Sequence, residues 1–78
     1  MIYVYVIRGV KNFRYIGITA NLADRLNRHN RGATKSTKPY LPFHVVYTEK
    51  FENYIDARAR EKFLKSGVGR NFLDNLVS

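Results

Sequence analysis

The sequence predicts an α/β (α+β) fold, in which a small three-stranded antiparallel sheet is flanked by helices in the order β-β-α-β-α-α. Residues 2–7, 13–18 and 43–48 are rich in β-branched and aromatic side chains, which is typical of strands. Apolar residues at helical spacing follow the second and the third of these segments. Because 78 residues provide only one hydrophobic core, we expect a single domain over residues 1–78.

The first two strands are separated by turn residues 9–12 and therefore predict an antiparallel hairpin. Tyr3, Tyr5 and Tyr15 lie in these two strands. Tyrosine is a good strand former, so packing alone is one explanation for them. A buried phenol also requires a partner for its hydroxyl, which makes the tyrosines candidates for a functional site.

The first helix is predicted to begin after Asn21, a favourable N-cap, with Asp24 as the acid of a capping box. Leu22 and Leu26 form its buried stripe. Gly32 lies where the end of a helix favours a residue with positive φ.

A second helix is predicted over residues 54–65, after the third strand, and it ends at Gly67. Gly69 then permits a turn into a short final helix, which carries Leu73 and Leu76 on its apolar side. Helices at these positions would cover the sheet and bury its apolar side chains.

The chain carries 14 Lys and Arg residues against 6 Asp and Glu residues, which gives a net charge of +8. Such a charge attracts polyanions, nucleic acid first and anionic membrane second, although it could also serve solubility alone. No predicted helix has a bulky apolar face opposite a basic face, so membrane binding ranks low. No signal peptide or membrane-spanning segment is recognised, and we expect a cytoplasmic protein.

Several classes of site are excluded by residue type. The absence of cysteine rules out a disulfide scaffold, a zinc finger and a thiol nucleophile. No His, Asp and Glu residues have zinc-site spacing, and no glycine-rich phosphate loop or Ser-His-Asp set stands out. These absences argue against an acyl hydrolase and against a nucleotide-triphosphate enzyme.

Two cationic residues of the first helix stand out. Arg25 and His29 are one turn apart on the same side, next to the apolar stripe, and would project over the sheet. Two such donors at fixed spacing suit a phosphate, whereas ordinary surface polarity is the alternative.

Glu61 breaks the pattern of the second helix. It shares one stripe with Ala57 and Leu64, at spacing i, i+4 and i+7, where a carboxylate must be paired or bound to metal. A helical pair with Arg58 or Lys65 is one explanation. A single carboxylate holding Mg²⁺, with water and phosphate completing the coordination, is the other.

Together these segments resemble the GIY-YIG nuclease family over nearly the whole chain and in the right order. The matching segments are Tyr3-Val4-Tyr5, Tyr15-Ile16-Gly17, an arginine helix at 24–30, a polar loop and strand at 35–47, and a glutamate helix at 57–67. The resemblance is to the small standalone branch of the family. The first motif keeps only its final tyrosine, Tyr5, and Asn71 and Asn75 are the candidates for the family's late asparagine.

The resemblance implies a metal-dependent endonuclease that hydrolyses phosphodiester bonds in DNA, with Mg²⁺ or Mn²⁺ as cofactor and a role in repair or recombination. We expect selection of a DNA shape or low specificity, with a possible protein partner that supplies the target. The main alternative is a nucleic-acid-binding accessory module with little or no turnover. A generic basic domain without metal binding is a third reading.

The resemblance also assigns roles within the site. Glu61 would hold the metal, Arg25 would clamp a phosphate oxygen, and Tyr15 would help to activate water. Tyr5 would orient Tyr15 or the water, with exchange of the two tyrosine roles left open, and His29 would hydrogen-bond the phosphate or the tyrosine pair. We expect further basic residues to contact the nucleic-acid backbone, namely Arg14, Arg28, Arg31, Lys35, Lys38, Lys65 and Arg70.

Overall fold

The computed structural model describes residues 1–77 and confirms the predicted α+β fold. Its strands are β1 (Ile2–Arg8), β2 (Arg14–Thr19) and β3 (His44–Phe51), and its helices are α1 (Leu22–Asn30), α2 (Tyr54–Leu64) and α3 (Gly67–Val77). Short 3₁₀ turns occupy Val10–Asn12 and Lys38–Tyr40. Residue 78 of the predicted domain lies outside the described residues.

Strand β1 lies at the centre of the sheet, between β2 and β3, and pairs antiparallel with both. The predicted hairpin forms between β1 and β2, and its turn places Lys11 and Asn12 at positive φ. A register shift between Val6 and Ile7 interrupts the pairing of β1 with β3. Because β1 is central, strand β2 forms one edge of the sheet.

The two faces of the sheet carry separate apolar clusters because side chains alternate along each strand. On one face, residues of β1 and β2 such as Val4, Val6 and Ile16 pack against Leu64 of α2 and Leu73 of α3. On the other face, α1 and the segment before β3 cover the sheet, through the residues Tyr5, Ile7, Leu22, Leu26 and Phe43. The chemistry-bearing tyrosines belong to this second face.

Local hydrogen bonds explain where the helices begin. The side chain of Asn21 accepts from the Asp24 amide at 3.0 Å, and the side chain of Asn53 accepts from the Asp56 amide at 2.9 Å. After α1, Gly32 has the positive φ expected of it, at 74°, and its amide donates to the carbonyl of His29. The predicted N-cap of α1 is thus confirmed.

The predicted turn at Gly69 is wrong. Helix α3 already begins at Gly67, so Gly69 lies within it. Gly69 is buried against the end of α2, where a β-carbon would lie 2.5 Å from Cα of Leu64 and closer still to the carbonyl oxygen of Phe63. The glycine therefore permits close approach of two helices, and the chain turns before it.

Within residues 1–77, no helix has both the length and the apolar character that crossing a membrane requires.

Candidate active site

The strand register places the two motif tyrosines side by side. Tyr5 lies opposite Gly17, and Tyr15 lies opposite Ile7, so both phenols project from the face that α1 covers. Their ring centroids are 6.2 Å apart. The Tyr5 ring lies over Gly17, where a β-carbon would come within 2.5 Å of the phenolic oxygen. The glycine of the second motif therefore leaves room for the tyrosine of the first.

A directed chain of hydrogen bonds ties Tyr5 to α1 and to the loop after it. The Tyr5 hydroxyl lies 3.1 Å from Nε2 of His29, and Nδ1 of His29 lies 3.0 Å from Oγ1 of Thr37. The Thr37 hydroxyl donates its proton to the carbonyl of Thr34 at 3.2 Å, so it must accept from Nδ1–H. His29 is consequently the Nδ1–H tautomer, and Nε2 accepts the Tyr5 proton.

Arg25 adds a cation to the same group. Its Nε donates to the Tyr5 oxygen at 3.4 Å, and this hydrogen bond raises the pKa of Arg25 above its ordinary value. Tyr15 contributes to the same shift as a lesser cause, which places its phenol near the guanidinium. The Tyr15 ring also lies 4.9 Å from that of His29. Four of the five predicted catalytic residues thus converge at one place.

Burial sets the protonation states of Tyr5 and His29. His29 and Thr37 have no exposed surface, and Tyr5 retains 1%. Burial raises the pKa of Tyr5, with the Arg25 hydrogen bond opposing the shift. Burial lowers the pKa of His29, and the Arg25 charge lowers it further. Both groups are therefore neutral at pH 7, while half-buried Tyr15 is the phenol that solvent can reach.

Glu61 occupies the predicted stripe of α2, between fully buried Ala57 and Leu64, with its side chain 12% exposed. Lys65 Nζ lies 3.1 Å from one carboxylate oxygen, and Arg58 Nε lies 3.7 Å from the other. Both helical pairs considered from the sequence are present. Their cations are largely exposed, at 54% and 74%, so each pair is weak.

The position of Glu61 relative to the tyrosines follows from two observations. Its charge is among the lesser causes that raise the pKa of Tyr5, after burial and the charge of Tyr15, so it lies within electrostatic reach of the phenols. Its partner Lys65 lines the same open cleft as Tyr15. Glu61 itself lines a smaller cavity with Arg58, Lys62 and Lys65, so Lys65 connects it to that cleft.

The neighbouring residue holds α2 in this orientation. Arg60 donates through Nε and Nη2 to the Glu49 carboxylate of β3, both at 3.0 Å, and its guanidinium lies over the rings of Phe63 and Phe72. Because consecutive helical residues differ by about 100° in direction, Glu61 lies on a different side of α2 from Arg60. The Arg60–Glu49 pair thus fixes the rotation of the helix.

The donors present fit one hard divalent cation. Among residues 1–77, no three His, Asp or Glu side chains gather into a metal-binding group. Mg²⁺, however, commonly takes one carboxylate and fills its remaining positions with water and phosphate oxygens. Glu61 offers such a carboxylate, and the flexible Lys65 ammonium is the group that an ion would displace.

The predicted backbone contacts fall into two groups. Arg14, Lys65 and Arg70 line an open cleft of about 750 Å³, and Arg14 pairs there with Asp74 at 2.9 Å. The second group is exposed on α1 and on the loop after it, and consists of Arg28, Arg31, Lys35 and Lys38. Asn71 and Asn75, the asparagine candidates, are exposed on α3.

Two residues of this region have no counterpart among the predicted site residues. Thr37 carries no recognisable signal, because only the folded loop brings it to His29. Arg8 continues the alternation of Val4 and Val6 along β1, and that spacing could have placed it on the same face, which α2 and α3 cover.

Comparison with known proteins identifies relatives of this chain. A family model described as the GIY-YIG catalytic domain matches residues 1–73. A UPF0213 protein of Pediococcus pentosaceus is 43% identical over 60 residues, which cover 76% of this chain and 63% of that protein, less than two thirds of its length. A UPF0213 protein of Clostridium perfringens is 39% identical over 79 residues, which cover 100% of this chain and 84% of that protein.

The fold has a solved counterpart as well. The solution NMR structure of a UPF0213 protein from Bacillus halodurans matches with a TM-score of 0.59 and 29% sequence identity. The match covers 97% of this chain and 85% of that chain. Motif order, fold and sequence similarity therefore agree, and the chain belongs to the GIY-YIG nuclease family and, within it, to the UPF0213 proteins.

Proposed function

We propose that this chain is a metal-dependent endonuclease that hydrolyses phosphodiester bonds in DNA. The observation that supports this most directly is the convergence of Tyr5, Tyr15, Arg25 and His29 on one face of the sheet. Phosphodiester hydrolysis builds negative charge on the phosphoryl group, and fixed cations and donors that stabilise this charge supply much of the catalysis. The net charge of +8 supports binding of the polyanionic substrate.

Arg25 suits the clamping role. Its Nε donates to Tyr5, which restrains the orientation of the guanidinium, and its terminal N–H groups would donate to a non-bridging phosphate oxygen. The hydrogen bond that orients the group also keeps it charged. The guanidinium of Arg25 would therefore already be oriented before the phosphate binds.

Tyr15 is the better candidate for activating the attacking water. Tyr5 is buried, donates its proton to His29 and stays neutral, so it is suited to positioning rather than to proton transfer. Tyr15 is only half-buried and has Arg25 beside it. His29, being fully buried, supports the tyrosine pair rather than the phosphate.

Glu61 would hold the metal. A bound Mg²⁺ or Mn²⁺ supplies Lewis-acid polarisation of the phosphate and neutralises the leaving oxygen. Lys65, which lines the same cleft as Tyr15, contacts this carboxylate, and the pairs with Lys65 and Arg58 are weak enough for an ion to displace.

The remaining basic side chains would contact the backbone, which gives sequence-independent and salt-sensitive affinity. These are Arg14, Arg28, Arg31, Lys35, Lys38, Lys65 and Arg70. A domain of this size has little surface left for base edges. We therefore expect preference for a DNA shape, such as a nick, flap, branch or single strand, in repair or recombination, or a target supplied by a partner protein.

Nicking of supercoiled plasmid in the presence of Mg²⁺ tests the proposal. Glu61→Ala and Arg25→Ala should each lower the nicking rate by about 100-fold or more. Glu52→Ala and Lys50→Ala remove the same charges at exposed positions elsewhere and should leave the rate close to wild type.

The engagement of Glu61 by two cations favours a second candidate, an accessory module that binds nucleic acid without significant turnover. Salt-sensitive DNA binding with no nicking above background would support this candidate. Nicking that is equal in the wild type, Glu61→Ala and Arg25→Ala would count against the endonuclease, since it would indicate a contaminating nuclease.

A further inference from the structure

The row of cross-strand pairs on the α2 and α3 face ends in two arginines. Val4 pairs with Ile18 and Val6 pairs with Ile16, but the next pair on this face is Arg8 opposite Arg14. Like charges directly opposite each other destabilise a sheet unless something neutralises them. A bound anion would therefore stabilise the two guanidinium groups at the end of this apolar row.

The protein neutralises only one of the two. Arg14 lies 2.9 Å from the Asp74 carboxylate of α3. The Nε of Arg8 is buried and has no hydrogen-bond partner among residues 1–77. A buried donor without an acceptor is costly, and most buried polar atoms in folded proteins are paired. Among residues 1–77, Arg8 thus lacks the neutralising partner that Arg14 has, and it lines the cleft.

The open cleft above Arg8 has a strongly positive lining. Arg8, Arg14, Lys65 and Arg70 contribute four positive charges, against the single negative charge of Asp74. Guanidinium forks match the oxygens of a phosphate in geometry as well as in charge. The lining therefore selects an anion with several oxygens.

The cleft reaches the β2 edge of the sheet, beside the candidate active site. Tyr15 lines it on the β2 edge, and Lys65, which also lines it, contacts the Glu61 carboxylate. A strand whose scissile phosphate lies between Tyr15 and Glu61 would place its neighbouring nucleotide over this cleft.

We propose that this cleft binds the backbone phosphate next to the scissile one, with Arg8 as its innermost donor. The inference rests on the proposed endonuclease function, because it places the scissile phosphate at Tyr15. It adds a determinant of strand position: the Arg8 subsite would fix which bond lies at Tyr15. An internal phosphodiester and a terminal phosphate share this chemistry, and we assign the internal one.

Binding of a fluorescent single-stranded oligonucleotide with hydroxyl groups at both ends, measured in EDTA so that no cleavage occurs, tests the proposal. Arg8→Gln should weaken binding by about tenfold. It should also reduce the slope of log Kd against log salt by about 0.7. Lys50→Gln removes one charge on β3, at the opposite edge of the sheet, and should change both quantities far less.

A substitution that is expected to tighten binding strengthens the test. Asp74→Asn releases Arg14 for the phosphate and should tighten binding, whereas Glu52→Gln removes an equal charge at an exposed site and should not do so to the same extent. Should Arg8→Gln fail to fold, Arg8→Lys keeps the charge, removes the planar fork and should still weaken binding.

The outcomes separate the subsite from the endonuclease. Arg8 variants that bind the oligonucleotide as tightly as Lys50→Gln would overturn the subsite, even if the protein nicks plasmid. Binding that depends on Arg8 in a protein without nicking activity would keep the subsite and overturn the endonuclease. Dependence on Arg8 that appears only with a 5′- or 3′-phosphorylated oligonucleotide would refute the internal assignment in favour of a terminal phosphate.

Discussion

The phenolic oxygen of Tyr5 lies 3.1 Å from Nε2 of His29, and both side chains are withdrawn from solvent. This contact separates the roles of the two motif tyrosines. The Tyr5 proton is held by a neutral imidazole, while Tyr15 stands at the accessible edge with Arg25 close by.

Acid should destabilise the fold through His29. Its folded pKa is lowered by burial, so below the unfolded value of about 6.5 the unfolded chain binds more protons than the native one. Stability is therefore complete above pH 6.5 and is lost as the pH falls through the folded pKa, by at most about 1.4 kcal/mol per unit. Urea unfolding between pH 7.5 and 5 measures the loss.

The two histidines of the chain provide a matched comparison for this pH effect. His29→Gln should flatten the decrease in stability between pH 6.5 and 5, while His44→Gln, at an exposed position, should retain it. An unchanged decrease in His29→Gln would show that another group is responsible.

Thr37 should fix the tautomer of His29. Thr37→Val keeps the shape but removes the acceptor for Nδ1–H, and the unpaired donor should cost about 1–3 kcal/mol. Thr37→Ser should restore both stability and tautomer. Nitrogen-15 NMR of the imidazole reads the tautomer directly, and a wild-type spectrum with the proton on Nε2 would refute the hydrogen-bond directions.

Gly17→Ala should displace the Tyr5 ring. The new methyl would lie 2.5 Å from the phenolic oxygen and 2.7 Å from Cζ, and the buried ring cannot move freely. We expect a loss of about 1–3 kcal/mol in the free energy of unfolding, together with reduced nicking. Gly67→Ala, where a β-carbon meets nothing within 4 Å, is the control and should be close to neutral in thermal melts.

Glu61→Gln should separate stability from activity. Its ion pairs are with largely exposed cations, so the free energy of unfolding should change by less than about 1 kcal/mol while nicking is lost. Glu49→Gln breaks a two-pronged pair with half-buried Arg60 and should cost more, about 1–3 kcal/mol. A loss above about 2 kcal/mol for Glu61→Gln would identify a structural ion pair instead.

Local patterns in the sequence predict most of the fold. Asn21 marks the start of α1, and the β-branched segments mark all three strands, because caps and alternation act over a few residues. Gly69 misleads for a reason that only packing reveals: its missing side chain serves the contact with α2. The extension of β3 to Phe51 likewise depends on pairing with Ile2.

The candidate site is predictable in part. The spacing of Arg25 and His29 along one helix face indicates a joint role, and the structure joins both to Tyr5. The contact between Thr37 and His29 cannot be predicted in this way, because this loop residue meets His29 only after the chain has folded around Phe43 and α1. Long-range contacts of this kind produce no periodic pattern of residue types in a sequence.

The Arg60–Glu49 pair also affects the position of Glu61. Arg60 and Glu61 are adjacent, and any roll of α2 that strains one of them re-aims the other. The outermost strand on one side of the sheet therefore governs how a carboxylate is presented on the opposite side. Loss of the Arg60–Glu49 pair should therefore lower the proposed nicking activity in a protein that still melts cooperatively.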